Sequence, residues 1–299
     1  MVGEARRSGG GAAEVTAGLR AGYDVAAQSW ADGPGPLYAS LAQALVAAAP
    51  VPLPGALVLD LGAGTGLAGR AALAAGARRV VAADLSLAML RQARHSAAPA
   101  PRTLAPRTLA PRTPAPGVAA AWAPVAADAV ALPFRDRRFD LVVAAFCLNH
   151  LDSLAAGLAE VRRVGTAIAA SVFAPGWSHP ALDAVEEVLS SFGYQPPAWH
   201  SCLSPGSRAA DPELLAAAAA AAGFSGVRVR TKEVSTTIAT PAQLASWRLG
   251  LAQVAPFLRS LDPAGEAAVR RAAEQAVASA VGGPDAAPLV VSMVMLTAS

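Results

Sequence analysis

Three closely spaced glycines follow a short apolar run, and their spacing would let a ligand reach the main chain. Residues 58–66 read VLDLGAGTG, which predicts a buried strand that ends in a tight turn. Leu67 stands where the dinucleotide fingerprint has its third glycine, so the pattern counts against NAD and against diphosphate binding. We therefore predict a cradle for a nucleoside-type ligand. A turn that only connects a strand to a helix is the alternative interpretation.

Two aspartates follow the next two predicted strands. Asp84 ends the apolar run 80–84, where a carboxylate can accept hydrogen bonds from both hydroxyls of a ribose, each worth about 1.5 to 3 kcal/mol. Asp128 follows the weaker run 122–127 and could accept a hydrogen bond from an exocyclic amine such as N6 of adenine. A solvated strand-end residue is the alternative for Asp84, and a plain turn residue is the alternative for Asp128.

Alternating strand and helix patterns must position these residues. Short apolar runs predict strands at 56–61, 80–84, 122–127, 139–146, 167–173, 227–237 and 289–297. Helical spacing predicts helices within 23–49 and at 67–75, 86–96, 153–163, 241–252 and 263–281. This alternation favours an α/β fold with a mostly parallel sheet and helices on both faces, and the last two strands could pair as an antiparallel edge.

We expect one domain with embellishments. Residues 1–15 are rich in Gly and Ala without periodicity and are expected to form a flexible tail, which leaves 16–299 as a single domain. Within it, 97–117 contains a tandem Pro-Arg-Thr repeat and is expected to be a disordered insertion. Residues 175–222 are irregularly helical and rich in aromatic residues and histidines, so they are a candidate cap over a site.

Composition excludes several classes of protein. The 54% hydrophobic content and the mean hydropathy of +0.40 come largely from alanine, and prolines break both long uncharged stretches, so no transmembrane helix is expected. No signal peptide is recognisable, and we expect a cytoplasmic protein. Cys147 and Cys202 cannot form a multi-cysteine metal site, and no metal is predicted. The net charge of +3 comes from scattered arginines with Lys232 as the single lysine, which does not indicate nucleic-acid binding.

The order and spacing of these motifs resemble the class I S-adenosylmethionine-dependent methyltransferases, particularly their small-molecule branch, from Tyr23 to about Glu233. The resemblance implies a Rossmann-like, seven-stranded, mostly parallel sheet with a helical cap, and S-adenosyl-L-methionine as the cofactor. It implies that Gly62, Ala63 and Gly64 line the methionine moiety and that Asp84 holds the ribose. For the adenine base it implies that Asp128 and Ala129 lie at its edge and that Leu85 and Met89 pack against it. It also implies that Tyr23 closes over the cofactor. Asp60 and Phe146 complete the predicted cofactor site.

Two further segments bear on the resemblance. Ala222-Gly223-Phe224 is similar to the family's turn into its sixth strand. The family usually has a Pro-Gly-Gly-type turn before its fifth strand, whereas this chain keeps only Gly165 there. That departure concerns the start of the fifth strand rather than the cofactor site.

The implied reaction is methyl transfer to a small-molecule acceptor by in-line displacement. Aligning the acceptor with the methyl carbon can supply effective molarities of about 10⁵ to 10⁸ M, so little protein chemistry is obligatory. For a protonated acceptor, His150 at the end of the fourth strand is the candidate base; a histidine that only packs or caps the next helix is the alternative. His179 and His200 are weaker candidates.

Other functions remain open at this point. The segment 144–150 lacks the Asn-Pro-Pro-Tyr-like motif that grips a flipped base, which counts against nucleic-acid methylation. A non-catalytic scaffold of this fold, and an enzyme that uses the cofactor to steer a cyclisation or other rearrangement, are the alternatives. Trp177, Trp199 and Trp247 suggest a flat or apolar acceptor. The sequence predicts no particular oligomeric state.

Overall fold

A seven-stranded sheet brings the predicted site residues to one edge. The computed structural model describes residues 9–96, 121–203, 209–283 and 287–299. The strands are β1 (Leu57–Leu61), β2 (Arg79–Asp84), β3 (Trp122–Ala126), β4 (Leu141–Ala145), β5 (Ile168–Phe173), β6 (Arg228–Ser235) and β7 (Val290–Ala298). Their order is β3-β2-β1-β4-β5-β7-β6, and β7 runs antiparallel to both β5 and β6 while the other pairs are parallel. The predicted fold class and antiparallel edge are confirmed.

Helices cover both faces of this sheet. They are α1 (Gly9–Asp32), α2 (Gly35–Val46), α3 (Leu67–Ala74), α4 (Leu87–Ser96), α5 (Leu154–Val164), α6 (Pro180–Ser191), α7 (Ala198–Leu203), α8 (Pro212–Ala221), α9 (Pro241–Leu249), α10 (Ala255–Ser260) and α11 (Pro263–Ala280). The apolar sides of α2, α3, α6, α9 and α11 form one core with one face of the sheet. Those of α5 and α8 form a second core with the other face.

Burial on both faces explains why the central strands read as continuous apolar runs. Every residue of β1 is buried, and β4 and β5 are buried except at their last residues. The strand order reverses between β1 and β4, since the strands on either side of this pair continue in opposite directions. Open α/β sheets bind their ligands at such a switch point, beside the carboxyl ends of the strands.

The predicted tail boundary near residue 15 is wrong. Helix α1 already begins at Gly9, because Val15 and Leu19 pack with Ala26 and Trp199 in a small core of their own. Tertiary packing of this kind makes a helix from a segment whose sequence carries little periodicity. The predicted insertion at 97–117 lies outside the described residues.

The predicted cap at 175–222 does not act as one unit. Helix α6 packs on α9 and α11, and α8 packs on α5 and β6, so both cover the sheet rather than a site. Among the described residues of this segment, those that reach the cavity described below lie in α7, which carries Trp199 and His200. The remainder of the cover comes from α1 and from the segment after β6, around Arg248 and Leu251.

The fifth strand forms despite the missing Pro-Gly-Gly turn. Gly165 ends α5 and makes an isolated parallel bridge with Phe139, after which Val142 pairs with Ile168 in parallel register. A Cβ at Gly165 would lie 2.5 Å from Cγ2 of Val142, so the single retained glycine is needed for close packing. Within the described ranges, no helix is both long and apolar enough to cross a membrane.

Candidate active site

A cavity of about 380 Å³ opens at the carboxyl ends of the central parallel strands. Its size lies within the range of about 300 to 1,000 Å³ that is usual for small-molecule sites. All twelve predicted site residues line it: Tyr23, Asp60, Gly62, Ala63, Gly64, Asp84, Leu85, Met89, Asp128, Ala129, Phe146 and His150. Strand ends that are far apart along the chain therefore meet around a single space.

The glycine turn after β1 has the backbone that its sequence demands. Gly62 and Gly64 have φ values of +64° and +52°, a region that other residues rarely adopt. A Cβ at Gly62 would lie 2.7 Å from the Sγ atom of Cys147, so the turn also packs closely against the end of β4. Burial raises the pKa of the Cys147 thiol to about 12, which makes it an unreactive packing group.

Asp60 is the buried acid of the glycine motif. Its side chain is only 1% exposed, and its Oδ2 atom accepts a hydrogen bond of 2.8 Å from the amide of Gly69 in the first turn of α3. Burial raises the pKa of this carboxyl to about 7, although the hydrogen bond from Gly69 opposes the shift. Asp60 thus links the end of β1 to the first turn of α3, and it is among the residues that line the cavity.

Asp84 is anchored by two main-chain amides. Its Oδ2 atom accepts from Gly64 at 2.7 Å, and its Oδ1 atom accepts from Ser86 at 2.7 Å. Burial raises the pKa of this carboxyl, and both hydrogen bonds act in the opposite direction. A carboxylate has about four acceptor positions, so two remain for hydroxyl groups of a ligand. The side chain is thereby preorganised for binding.

A chain of polar contacts attaches α1 to the start of α4 and so brings Tyr23 to the cavity. Oδ1 of Asp24 accepts from the hydroxyl of Ser86 at 2.6 Å and from the amide of Ala88 at 3.2 Å. The Ser86 hydroxyl in turn accepts from the amide of Met89 at 3.1 Å. These contacts cap α4, and the negative charge of Asp24 is favourable at a helix N-terminus.

The region predicted for an adenine ring has one polar and several apolar walls. Met89 is fully buried, and Ala129 and Leu85 lie beside it around the cavity. Oδ1 of Asp128 accepts a hydrogen bond of 3.0 Å from the amide of Val130, which leaves the other carboxylate oxygen for a further donor. This combination suits a flat ring that carries an amino group at its edge.

Tyr23 and His150 form a hydrogen-bonded pair in the cavity wall. The hydroxyl of Tyr23 and Nε2 of His150 are 3.1 Å apart. Burial lowers the pKa of His150 to about 4 and raises that of Tyr23 well above its ordinary value, so both side chains are neutral at pH 7. Nδ1 of His150 is buried without a hydrogen-bond partner among the described residues. The imidazole is thus an uncharged group with unfulfilled hydrogen-bonding capacity.

Phe146, which belongs to the predicted cofactor site, forms a second wall with three aromatic residues that the sequence did not indicate: Trp30, Tyr38 and Phe173. The rings of Trp30 and Tyr38 lie 5.1 Å apart, those of Tyr38 and Phe146 also 5.1 Å, and those of Phe146 and Phe173 4.6 Å. Phe146 has a φ of +54°, which is a strained conformation for a bulky residue and which turns the chain at the end of β4. Trp30 lies in α1 and Tyr38 in α2, so the packing of these two helices, and no local sequence signal, brings the two rings together.

The tryptophans and the weaker histidine candidates have different positions. Trp199 and His200 line the cavity, whereas Trp177 and Trp247 pack behind its wall in the core. His179 instead caps α6, where its Nδ1 atom accepts from the amide of Ala181 at 3.2 Å. A capping histidine sits outside the cavity lining, so His179 is wrong as a candidate base.

Trp199 lies against a flat surface of α1. A Cβ at Gly18 would lie 2.8 Å from its ring, and a Cβ at Gly22 would lie 2.9 Å from it. The four-residue spacing places both glycines on one side of the helix. Any larger residue at either position would push α7 outward.

Within the described ranges, no group of three or more His, Cys, Asp or Glu side chains is arranged to hold a metal ion.

The sheet order and the strand-end cavity agree with a Rossmann-like methyltransferase fold. Residues 59–167 match the family described as a methyltransferase domain. Over this segment the chain is similar to the class I S-adenosylmethionine-dependent methyltransferases. The matched segment extends from the glycine turn to the start of β5 and includes Asp84, Asp128 and His150.

Named relatives share about half of their length with this chain. It is 47% identical over 140 residues to a demethylmenaquinone methyltransferase of Parafrankia sp. (strain EAN1pec), which covers 46% of this chain and 54% of that protein. A demethylmenaquinone methyltransferase of Thermobifida fusca is 34% identical over 135 residues, which covers 45% and 49% of the two chains.

Two solved structures are similar over most of the fold. One is a chain from the complex of the Haloferax volcanii Trm112 methyltransferase activator with a methyltransferase. It is 18% identical, the comparison covers 94% of this chain and 96% of that chain, and the TM-score is 0.51. The other is the [4+2]-cyclase SpnF, with 16% identity, coverage of 87% and 80%, and a TM-score of 0.50. At such identities the likeness concerns the fold alone.

Proposed function

We propose that this chain transfers a methyl group from S-adenosylmethionine to a small-molecule acceptor that has a flat aromatic ring. The observation that carries the proposal is the continuity of the cavity, which joins the glycine turn and Asp84 to the wall formed by Trp30, Tyr38 and Phe146. One end suits a nucleoside and the other suits an apolar ring. Two ligands that must react with each other can therefore meet inside one space.

The residues present fit the cofactor. Asp84 offers two free acceptor positions on a side chain already fixed by main-chain amides, which suits the hydroxyls of a ribose. Asp128 with Leu85, Met89 and Ala129 suits an adenine, and the positive φ angles of Gly62 and Gly64 allow the methionine moiety to approach the backbone.

Bound S-adenosylmethionine supplies a methyl group on a positively charged sulfur. In the reaction the bond from that sulfur to the methyl carbon breaks, a bond from the acceptor to the same carbon forms, and neutral S-adenosylhomocysteine is left. The protein aligns the two reactants and excludes water with the aromatic wall and Trp199.

His150 is the residue proposed to receive a proton from the acceptor. Its neutral imidazole would take the proton at Nε2, directly or through the Tyr23 hydroxyl with which that atom is hydrogen-bonded. A pKa of about 4 makes this a weak base. We therefore expect the proton to move only as the new bond to the methyl carbon forms, because the acceptor atom becomes strongly acidic at that stage.

The relatives support an aromatic acceptor. They are demethylmenaquinone methyltransferases, whose name gives a quinone-type compound as the acceptor. Five aromatic side chains in the lining of the cavity offer a surface of matching chemistry: Tyr23, Trp30, Tyr38, Phe146 and Phe173. Because the relatives match only about half of the chain, the particular acceptor is left to experiment.

The direct test is transfer of a labelled methyl group. The purified protein is incubated with methyl-labelled S-adenosylmethionine and a panel of reduced naphthoquinones, hydroxynaphthalenes and aliphatic amines. We expect label in a ring-containing product and one equivalent of S-adenosylhomocysteine per methyl group transferred. His150→Gln should lower turnover at least tenfold with little change in cofactor affinity.

Three outcomes would count against the proposal. Transfer only to aliphatic amines would refute the aromatic acceptor. A rearranged product without S-adenosylhomocysteine would indicate that the cofactor only steers another reaction. Unchanged turnover in the His150 variant would remove that residue from the mechanism while leaving methyl transfer in place.

A further inference from the structure

Arg248 places a positive charge in the wall of the cavity. It lies in the last turn of α9 between Trp247 and Leu249, which are both buried in the core. Its side chain is 18% exposed. Burial lowers the pKa of Arg248, yet a guanidinium group remains protonated at neutral pH. A full charge therefore occupies a largely desolvated position in the lining of the cavity.

The protein gives this charge little compensation. Nη2 of Arg248 donates to Oε2 of Glu186 at 3.4 Å, and the Glu186 side chain is 48% exposed. Nε of Arg248 is buried and has no hydrogen-bond partner among the described residues. An unpaired buried donor is costly, and more so when it is charged. An anion brought in by a ligand would remove that cost.

The other neighbours of Arg248 do not neutralise it. Tyr38 and Tyr194 interact with it electrostatically, but burial raises the pKa of both hydroxyls, so they are uncharged at pH 7. Tyr38 also belongs to the aromatic wall. The positive charge thus lies next to the surface on which we place the reacting molecules.

We propose that Arg248 binds the carboxylate, or a similar oxyanion, of a small molecule held in this cavity. The inference rests on the proposed function and specifies what that site recognises. A guanidinium matches a carboxylate with two parallel hydrogen bonds, and Arg248 keeps free donors for them. Two bound molecules could supply the anion: the cofactor through its methionine carboxylate, or the acceptor through an acidic group on its ring.

Matched ligand pairs distinguish these two sources. Calorimetric titration compares S-adenosylmethionine with its decarboxylated analogue, which lacks only the carboxylate. With the cofactor site saturated by S-adenosylhomocysteine, a second titration compares 1-hydroxy-2-naphthoate with 1-naphthol. We expect the wild type to prefer the carboxylate-bearing member of one pair at least tenfold, and Arg248→Met to lose that preference.

Glu186→Gln is the control for a purely structural role. If Arg248 only holds α9 to α6 through this ion pair, Glu186→Gln should reproduce the effect of Arg248→Met. If Arg248 binds a ligand, removing its protein partner should leave anion affinity unchanged or raise it. Thermal unfolding of each variant shows whether the fold is intact.

Several results would overturn the inference. The first is that the wild type prefers the carboxylate-bearing compound in neither pair. The second is that Arg248→Met keeps the preference of the wild type. The third is that Glu186→Gln loses the preference to the same extent as Arg248→Met. Failure of the proposed function is distinguishable, because it would appear as no transfer of the labelled methyl group by the wild type, whereas failure of this inference alone would leave that transfer in place.

Discussion

His150 shows how burial changes the protonation of a side chain, which the residue type alone does not determine. Its neighbours keep the imidazole neutral by excluding water, and Nε2 of the imidazole is hydrogen-bonded to Tyr23. A lowered pKa is a cost to folding whenever the unfolded chain can bind the proton instead. The histidine is therefore visible in the stability of the protein, independently of any reaction.

Stability should depend on pH through this residue. Between pH 6.5 and about 4 the unfolded chain binds a proton at His150 that the folded chain does not, so acidification through this window destabilises the fold. The shift corresponds to a loss of up to about 3 kcal/mol. In urea unfolding at several pH values, the stability of the wild type relative to His150→Gln should fall as the pH decreases from 7 to 4.

The difference between the two proteins isolates His150. Asp60, whose pKa is raised to about 7, titrates over part of the same range with the opposite sign, but its contribution is present in both proteins and cancels. A stability difference that stays constant with pH would show that the imidazole is not desolvated as described.

The glycine turn and the two strand-end aspartates could be placed at the cavity from the sequence because their signals are local. The glycine turn, Asp84 and Asp128 all follow apolar runs, and a parallel sheet brings strand ends to one edge whatever the remainder of the chain does. Tyr38 and Arg248 come from helices that carry no such local signal. Only tertiary packing brings them to the cavity.

At the scale of elements, the contact between α1 and α7 depends on absent side chains. Gly22 leaves room for the Trp199 ring, and α7 is the part of the predicted cap that lines the cavity. In an exposed helix interior, replacing glycine by alanine usually stabilises by up to about 1 kcal/mol. At Gly22 the contact with Trp199 should make the same replacement destabilising.

We expect Gly22→Ala to destabilise the protein by roughly 1 to 3 kcal/mol, because the added methyl group overpacks the interface with Trp199 and with the carbonyl of Ala252. Affinity for S-adenosylmethionine should fall as α7 is displaced. Gly11→Ala is the matched control on the same helix, since nothing lies within 4 Å of a Cβ there. Equal effects of both substitutions in denaturant unfolding would contradict the packing described.

The strands were easier to predict than the elements that cover them. Strands β1, β4 and β5 are buried on both faces, and this gives an apolar run that no other element produces as clearly. Helices α6 and α8 share a similar irregular sequence yet pack on opposite faces of the sheet. The face of the sheet on which each helix packs depends on the whole core. The sequence therefore could not show that the predicted cap over 175–222 consists of helices that pack in different places.

For the molecule as a whole, we predict that S-adenosylmethionine or S-adenosylhomocysteine bound in the cavity raises the stability of the fold. A ligand that binds only the folded state stabilises it by about 2.7 kcal/mol at one hundred times its Kd. The cavity is bounded by α1, α4, α7, α9 and the central strands, so binding connects elements from both ends of the chain. Thermal unfolding should therefore shift upward by several degrees in saturating S-adenosylhomocysteine.

The most direct test of the central claim is calorimetric titration of the wild type, Asp84→Asn and Asp183→Asn with S-adenosylmethionine and S-adenosylhomocysteine. Asp183 is exposed on α6 away from the cavity lining and serves as the matched loss of a carboxylate. We predict binding of both compounds by the wild type and the control. Asp84→Asn should weaken it roughly 10- to 100-fold, as expected for the loss of charge-assisted hydrogen bonds to the ribose. Absence of binding by the wild type, or equal affinity in Asp84→Asn, would contradict the assignment of this cavity to the cofactor.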